Sequence, residues 1–292
     1  GLMKHKRLIV AAAIIVVAVS ALGATKIWIN SSFLAKFERD SDIVLTDEFI
    51  NEQFGGTSTL NVILDSVDND AMKSPNVLRL MDEMQTESEM LDEVGNSFGL
   101  SDYLRRINMV MHADDSEFDT IPESTELVAQ YLLLYEMSGD PETLWRTVDY
   151  DYAKSNVTLQ LKGDDSKTIN SAIAVVEKFR PLFEEQGVNV NYAGSGYKSL
   201  IFSDLILKGQ VKSLVLSLGI IVVLLSLMFK RISAGLVGVI PISITAIVSF
   251  GAMGLLDVPL STTTALMSSI AVGVGIDYAV HFMERFRVAA KS

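Results

Sequence analysis

The sequence predicts an α-helical membrane protein of four spans, with an α/β domain held outside the membrane between the first span and the second. Three observations carry this reading. Four segments stay apolar over membrane-spanning length. Basic residues gather at alternate ends of those segments. The chain is 49% hydrophobic, with a mean hydropathy of +0.33, yet carries a net charge of -12. That combination requires nearly uncharged segments beside one strongly acidic one.

The first span covers residues 8–25, LIVAAAIIVVAVSALGAT, without a charge. At about 1.5 Å per residue this is roughly 27 Å, close to the hydrocarbon thickness of a bilayer. The residues before it, Lys4-His5-Lys6-Arg7, are basic. A cleaved signal peptide is the alternative, with Ala21-Leu22-Gly23 as a cleavage site, but the run exceeds the usual apolar core of about 7–15 residues. The second span, 211–229, is apolar apart from Lys212 and some serines; the third, 232–256, is uncharged; the fourth, 260–282, holds only Asp277 and His281.

Charge sets the orientation. Lys4, Lys6 and Arg7, then Lys230 and Arg231, then Arg285, Arg287 and Lys291 share one side if the chain crosses at each span. The positive-inside rule makes that side cytoplasmic. The turn Asp257-Val258-Pro259 and residues 26–210 then lie outside, and that stretch holds 33 acidic residues against 15 basic ones. The expected divisions are 1–25 for the cytoplasmic N-terminus and first span, 26–210 for the outer domain, and 211–292 for three spans and a cytoplasmic end. The expected location is the cytoplasmic (inner) membrane, with the large domain outside.

Within the outer domain, LNVIL (60–64), NVTLQL (156–161) and VNVNY (188–192) read as strands. Residues 75–90 read as a helix with Ser74 as cap and Pro75 in the first turn. Residues 166–183 read as a second amphipathic helix. A helical insert at about 97–150 separates the two β–α–β-like pieces, Ser124 standing where it can cap the run LVAQYLLLYEM. Residues 198–212 continue as helix into the second span.

The chemistry that the sequence excludes is informative. Cysteine is absent, which rules out disulfides and Cys-ligated zinc. The acidity argues against nucleic acid as a partner. His112 beside Asp114 and Asp115 reads as a solvated turn, and no catalytic set stands out, so neither an enzyme nor a bound metal or cofactor is expected. Tyr131, Tyr135, Tyr150, Tyr152 and Trp145 form either core or a hydrophobic ligand surface.

The fourth span carries the unusual chemistry. Asp277 lies about three-quarters of the way along it, where an acid costs about 2.5–3.5 kcal/mol to insert. His281 follows four residues later, one helical turn on, so both project from one face. Glu284 and Arg285 continue toward the cytoplasmic boundary. Ser269, Ala271, Gly273 and Gly275 are small enough to let a neighbouring helix approach and bury the acid. Burial raises a carboxylate pKa and a nearby imidazolium lowers it, so such a pair can titrate near neutrality. A structural Asp–His contact is the alternative. Pro241, with Gly235, Gly238, Gly251 and Gly254, offers a hinge or kink in the third span.

SIAVGVGIDYAVHFMERFR (269–287) resembles the fourth-span signature of the RND (resistance–nodulation–division) superfamily of exporters, in its MMPL-type, predicted lipid exporter branch. Residues 31–64, 130–141, 148–161 and 253–267 extend the resemblance over nearly the whole chain. The resemblance implies a porter-like outer domain of ferredoxin-like βαβ subdomains. It also implies proton antiport through Asp277, with Tyr278 and His281 in the relay, and the proton motive force as energy source. The implied partners are membrane lipids, a hydrophobic or lipid-like substrate, and the other half or other subunits of the transporter. The family is built from two six-span repeats; this chain resembles the first four spans of one repeat, the second half, and is expected to be a fragment or a half-sized subunit. Two other function classes fit the same helices: a sterol-sensing-like lipid-binding or regulatory module, and a protein-translocation accessory.

Overall fold

The computed structural model describes residues 6–28, 30, 32–138 and 141–289; the side chains of residues 6–10, 138, 207, 262, 268–269, 271–272, 276–277, 279, 282–283 and 286–289 lie outside that description. In chain order the elements are α1 (Lys6–Ala24), α2 (Asp42–Phe54), β1 (Ser58–Ser66), α3 (Pro75–Glu89), β2 (Val94–Phe98), α4 (Leu100–Met111), α5 (Thr125–Ser138) and α6 (Pro141–Leu144). Then follow β3 (Lys154–Leu161), α7 (Ser166–Glu185), β4 (Val188–Ala193), α8 (Gly194–Phe229), α9 (Ile232–Leu255) and α10 (Thr262–Ala289). The chain divides into two compact units, one of residues 31–201 and one of 1–30 with 202–292.

The 31–201 unit is built on a four-stranded antiparallel sheet of order β2-β3-β1-β4. β3 separates β1 from β2, and β1 separates β3 from β4, so α3 and α7 each serve as the crossover of a β–α–β piece. Strand periodicity of two explains the layering. Leu60, Val62 and Leu64 of β1 and Val157, Leu159 and Leu161 of β3 are fully buried, and the register sets Leu60 opposite Leu159 and Val62 opposite Val157. Val77, Leu78, Met81 and Met84 of α3 and Ile169, Ala172, Val176, Phe179 and Phe183 of α7 cover that face. Each of these side chains larger than alanine contributes about 1.5–3 kcal/mol on burial. The other face is polar and half-buried, with Asn61, Asn156, Thr158 and Gln160. Gly187, at φ 74, makes the left-handed turn between α7 and β4.

Leu100 and Leu104 of α4, Val128 and Leu132 of α5 and Leu144 of α6 extend the same core. Gln85 is the buried polar hub between α3 and the insert: its Nε2 donates to Ser97 Oγ (3.0 Å) and Asp102 Oδ2 (2.8 Å), and Ser101 Oγ donates to its Oε1. Asn108 Nδ2 donates to the carbonyls of Phe118 and Thr120, each at 3.0 Å. Two details differ from the sequence reading. Ser74 occupies the cap position of α3 but its hydroxyl makes no capping bond, so Pro75 sets the start. The insert follows an unforeseen strand, β2, and its helices begin at Leu100.

In the other unit, α1 and α9 pack along their length, and α9 also packs against α10. Among the described residues, α8 and α9 are long and apolar enough to cross a membrane. α1 runs for 19 residues and α10 for 28. The chain leaving α1 is fastened to the α9–α10 turn: Trp28 Nε1 donates to Asp257 Oδ1 at 2.8 Å, Leu260 N to Trp28 O at 2.8 Å, and Asn30 N to Leu260 O at 3.2 Å.

Candidate functional site

α10 begins with a reciprocal cap, Ser261 N donating to Thr264 Oγ1 (2.7 Å) and Thr264 N to Ser261 Oγ (3.3 Å). The helix then continues without interruption through Asp277, Tyr278 and His281. On its backbone Asp277 and His281 stand one turn apart, and Tyr278 and His281 three residues apart, so His281 neighbours both. The side chain of Asp277 lies outside the described residues. Tyr278 is 75% exposed and His281 is exposed.

Between them, Val280 faces inward. It packs with Ile221 and Leu225 of α8 and Ile242 and Ala246 of α9. It also borders a groove of about 510 Å³ whose α8 wall is Ile220, Ile221, Leu224, Leu225 and Met228, with Ser217 as the polar member. The α10 stretch that carries the acid and imidazole therefore runs beside an apolar groove able to take hydrocarbon.

The small residues have distinct jobs. A Cβ at Gly275 would touch Ile242 Cγ1 at 3.9 Å, an ordinary contact, whereas a Cβ at Gly273 would meet nothing among the described residues. Gly275 thus faces α9 and Gly273 does not. Ser269 and Ala271 lie outside the described side chains. Pro241 sits inside the continuous α9; it has no N–H for the carbonyl of Val237, and Thr245 Oγ1 donates to Pro241 O at 3.0 Å. Three of the glycines around it, Gly235, Gly251 and Gly254, are packing contacts. A Cβ at Gly235 would come within 2.4 Å of the Val222 carbonyl oxygen of α8. At Gly251 it would lie 2.2 Å from Ser20 O, and at Gly254 1.9 Å from Gly23 O, both on α1. The packing role of Ser20 and Gly23 was not read from the sequence, where Gly23 figures only in a possible cleavage site; its signal is an i,i+3 spacing of small residues matched by Gly251 and Gly254.

The aromatic residues of the 31–201 unit separate into two groups. Tyr131 is buried and its hydroxyl donates to Asn108 Oδ1 (3.2 Å), while Tyr135 packs edge-on to Tyr103. Trp145, Tyr150 and Tyr152 instead line a cavity of about 530 Å³ with Asp70, Lys73, Glu136 and Asp151. Tyr152 hydroxyl donates to Glu136, and burial, then that carboxylate, raises the phenol pKa above its ordinary value. His112 stacks on Phe118 with centroids 3.7 Å apart, and its Nδ1 bonds Asn108 O at 2.8 Å. Among the described residues no group of three or more His, Asp or Glu could hold a metal ion.

Known proteins place this architecture. A protein of Methanocaldococcus jannaschii described by name as a membrane protein, MJ1562, is 23% identical over 279 residues, covering 94% of this chain and 69% of its own length. The solved structure of the hedgehog release protein Disp from the water bear Hypsibius dujardini shares the fold, with a TM-score of 0.54 at 12% identity over 92% of this chain. The present chain spans 37% of that protein's length. The model of the MMPL family matches residues 38–292. The chain belongs to the MMPL family of membrane proteins.

Proposed function

We propose that this chain is part of a proton-motive-force-driven exporter of the RND type, an antiporter that moves hydrophobic or lipid-like molecules out of the cytoplasmic membrane. The observation that carries the reading is the placement of Asp277 and His281 one turn apart on α10, with Val280 between them bordering an apolar groove. In this reading α1, α8, α9 and α10 are the four spans, and the basic residues of the sequence put the 31–201 unit outside. The β–α–β–β–α–β order and the β2-β3-β1-β4 sheet support a ferredoxin-like porter domain. Asp277 takes and releases the proton, and Tyr278 and His281 are its neighbours in the relay. A proton crossing 100 mV supplies about 2.3 kcal/mol, which biases a conformational equilibrium roughly fifty-fold. The other half or other subunits complete the relay.

The test is proton-dependent transport by the full-length protein in proteoliposomes with an imposed pH gradient. Asp277→Asn removes the titration while keeping the side chain's shape, and the expected result is loss of gradient-driven substrate movement with lipid binding retained. Undiminished transport would refute the relay. The apolar groove between α8 and α10 favours one further reading, a sterol-sensing-like lipid-binding module; there, lipid occupies the groove and Asp277→Asn leaves its binding and its consequences unchanged.

A further inference from the structure

The 31–201 unit holds a cavity that the relay does not use. Its volume, about 530 Å³, lies within the range of small-molecule sites. One wall is aromatic. Trp145 and Tyr150 stack with centroids 4.3 Å apart and planes 16° apart, and Tyr152 meets Trp145 edge-on at 6.1 Å. Tyr150 remains 79% exposed despite the stack, so it presents its ring at the mouth. The charged groups of the lining are Asp70, Glu136 and Asp151 against one cation, Lys73. Three elements distant in sequence converge here: the segment after β1, the middle of α5, and the turn before β3.

Lys73 shows what these walls attract. Its ammonium lies 4.1 Å from the Tyr152 ring centroid and 2.7 Å from Asp70 Oδ1. Glu136 fixes the Tyr152 ring from the other end through the phenol hydroxyl. Lys73 and Asp70 satisfy each other, and among the described residues of the lining no second cation serves the Trp145–Tyr150 stack beside Glu136 and Asp151. Aromatic faces attract cations through their quadrupole, and excess carboxylate in a concave site deepens that attraction. A bare metal ion is disfavoured, because hard cations need several converging oxygen ligands and no such cluster is present among the described residues. A hydrocarbon chain is disfavoured by the carboxylates.

We propose that this cavity binds organic cations of the quaternary ammonium class, the onium group resting between the Trp145–Tyr150 pair and the carboxylates of Glu136 and Asp151. The site is independent of the proton relay and requires no transport.

The test uses the full chain in nanodiscs of phosphatidylglycerol, which offers no choline headgroup. The sequence has two tryptophans, so Trp28→Phe leaves Trp145 as the fluorescent reporter inside the site. Choline is titrated against 3,3-dimethylbutan-1-ol, its uncharged isostere. The expected result is a saturable change in Trp145 emission with choline and at least about tenfold weaker binding of the neutral isostere. Tyr150→Ala and Asp151→Asn should each weaken choline binding about three- to tenfold. Asp151 is exposed, so its substitution leaves the core untouched. Absence of a saturable response, equal affinity for the isostere, or unchanged affinity in both variants would overturn the proposal.

Discussion

Replacing Gly254 by alanine tests a close backbone approach between α9 and α1. The added Cβ would lie 1.9 Å from the Gly23 carbonyl oxygen, where contacts under 3.0 Å essentially never occur. The obstacle is backbone, so no side chain can rotate out of the way, and α1 must retreat from α9 by about 1 Å. Overpacking of this kind costs about 1–3 kcal/mol. Alanine's helix propensity returns up to about 1 kcal/mol. With the full propensity gain the net expectation is a loss of about 0–2 kcal/mol, and about 1–3 kcal/mol relative to a glycine whose Cβ has room. Gly219→Ala in α8 is the matched reference, since its Cβ would meet nothing among the described residues; only the propensity gain remains, and the variant should be neutral or slightly more stable. Unfolding of the full chain in mixed micelles, titrated with dodecyl sulfate and followed by circular dichroism, reads the difference. Equal midpoints for the two variants would refute the packing argument.

Two further outcomes follow from the 31–201 unit. Gln85→Leu takes the acceptor from Ser101 Oγ and one bond each from Ser97 Oγ and the Asp102 carboxylate, which keep Glu89 and Gly99 N as partners, and should cost about 1–3 kcal/mol by urea denaturation. Glu177 is hydrogen-bonded by Arg180 and by Tyr192 hydroxyl, which draws its pKa from an ordinary 4.5 down to about 2. A depressed carboxylate stabilises the fold above its unfolded pKa and loses that contribution as pH falls through the folded value. Wild type should therefore lose stability relative to Glu177→Gln between pH 4.5 and 2. The loss should be small, under about 1 kcal/mol, because the pair is solvent-screened, and the melting midpoint of each protein against pH reads it.

The apolar runs of α8 and α9 were legible because an uncharged stretch of that length has few other uses. The two crossover helices were legible from their 3.6-residue periodicity, and Ser124 was placed correctly, its Oγ accepting from Leu127 N at 3.2 Å. β1 is longer than LNVIL because its alternation continues through polar Ser58 and Ser66, which are buried without being apolar. β2, VGNSF, has neither alternation nor branched residues beyond Val94; it is a strand because β3 offers it an edge, with a register shift at residue 95. Asp165, whose carboxylate accepts from Lys167 N and Thr168 N, caps α7 but was hidden beside Asp164. Of the cavity of the 31–201 unit only Trp145, Tyr150 and Tyr152 were legible, as a possible hydrophobic ligand surface; its acidic members were not, for a different reason. Asp70, Glu136 and Tyr152 are brought together only by the sheet and insert, and no local pattern encodes such convergence.

The seam between α1 and α9 also has a history in time. Ser20 and Gly23 meet residues made more than two hundred positions later. At about 5–20 residues per second, α1 waits on the order of ten to fifty seconds for its partner during synthesis. Every strand and covering helix of the 31–201 unit is complete before Gly251 leaves the ribosome. A seam mutation therefore acts on a chain whose sheet domain already stands finished, and its expected product is a mis-seated first helix carrying a correctly folded domain, which conformation-specific binders to that domain would fail to detect.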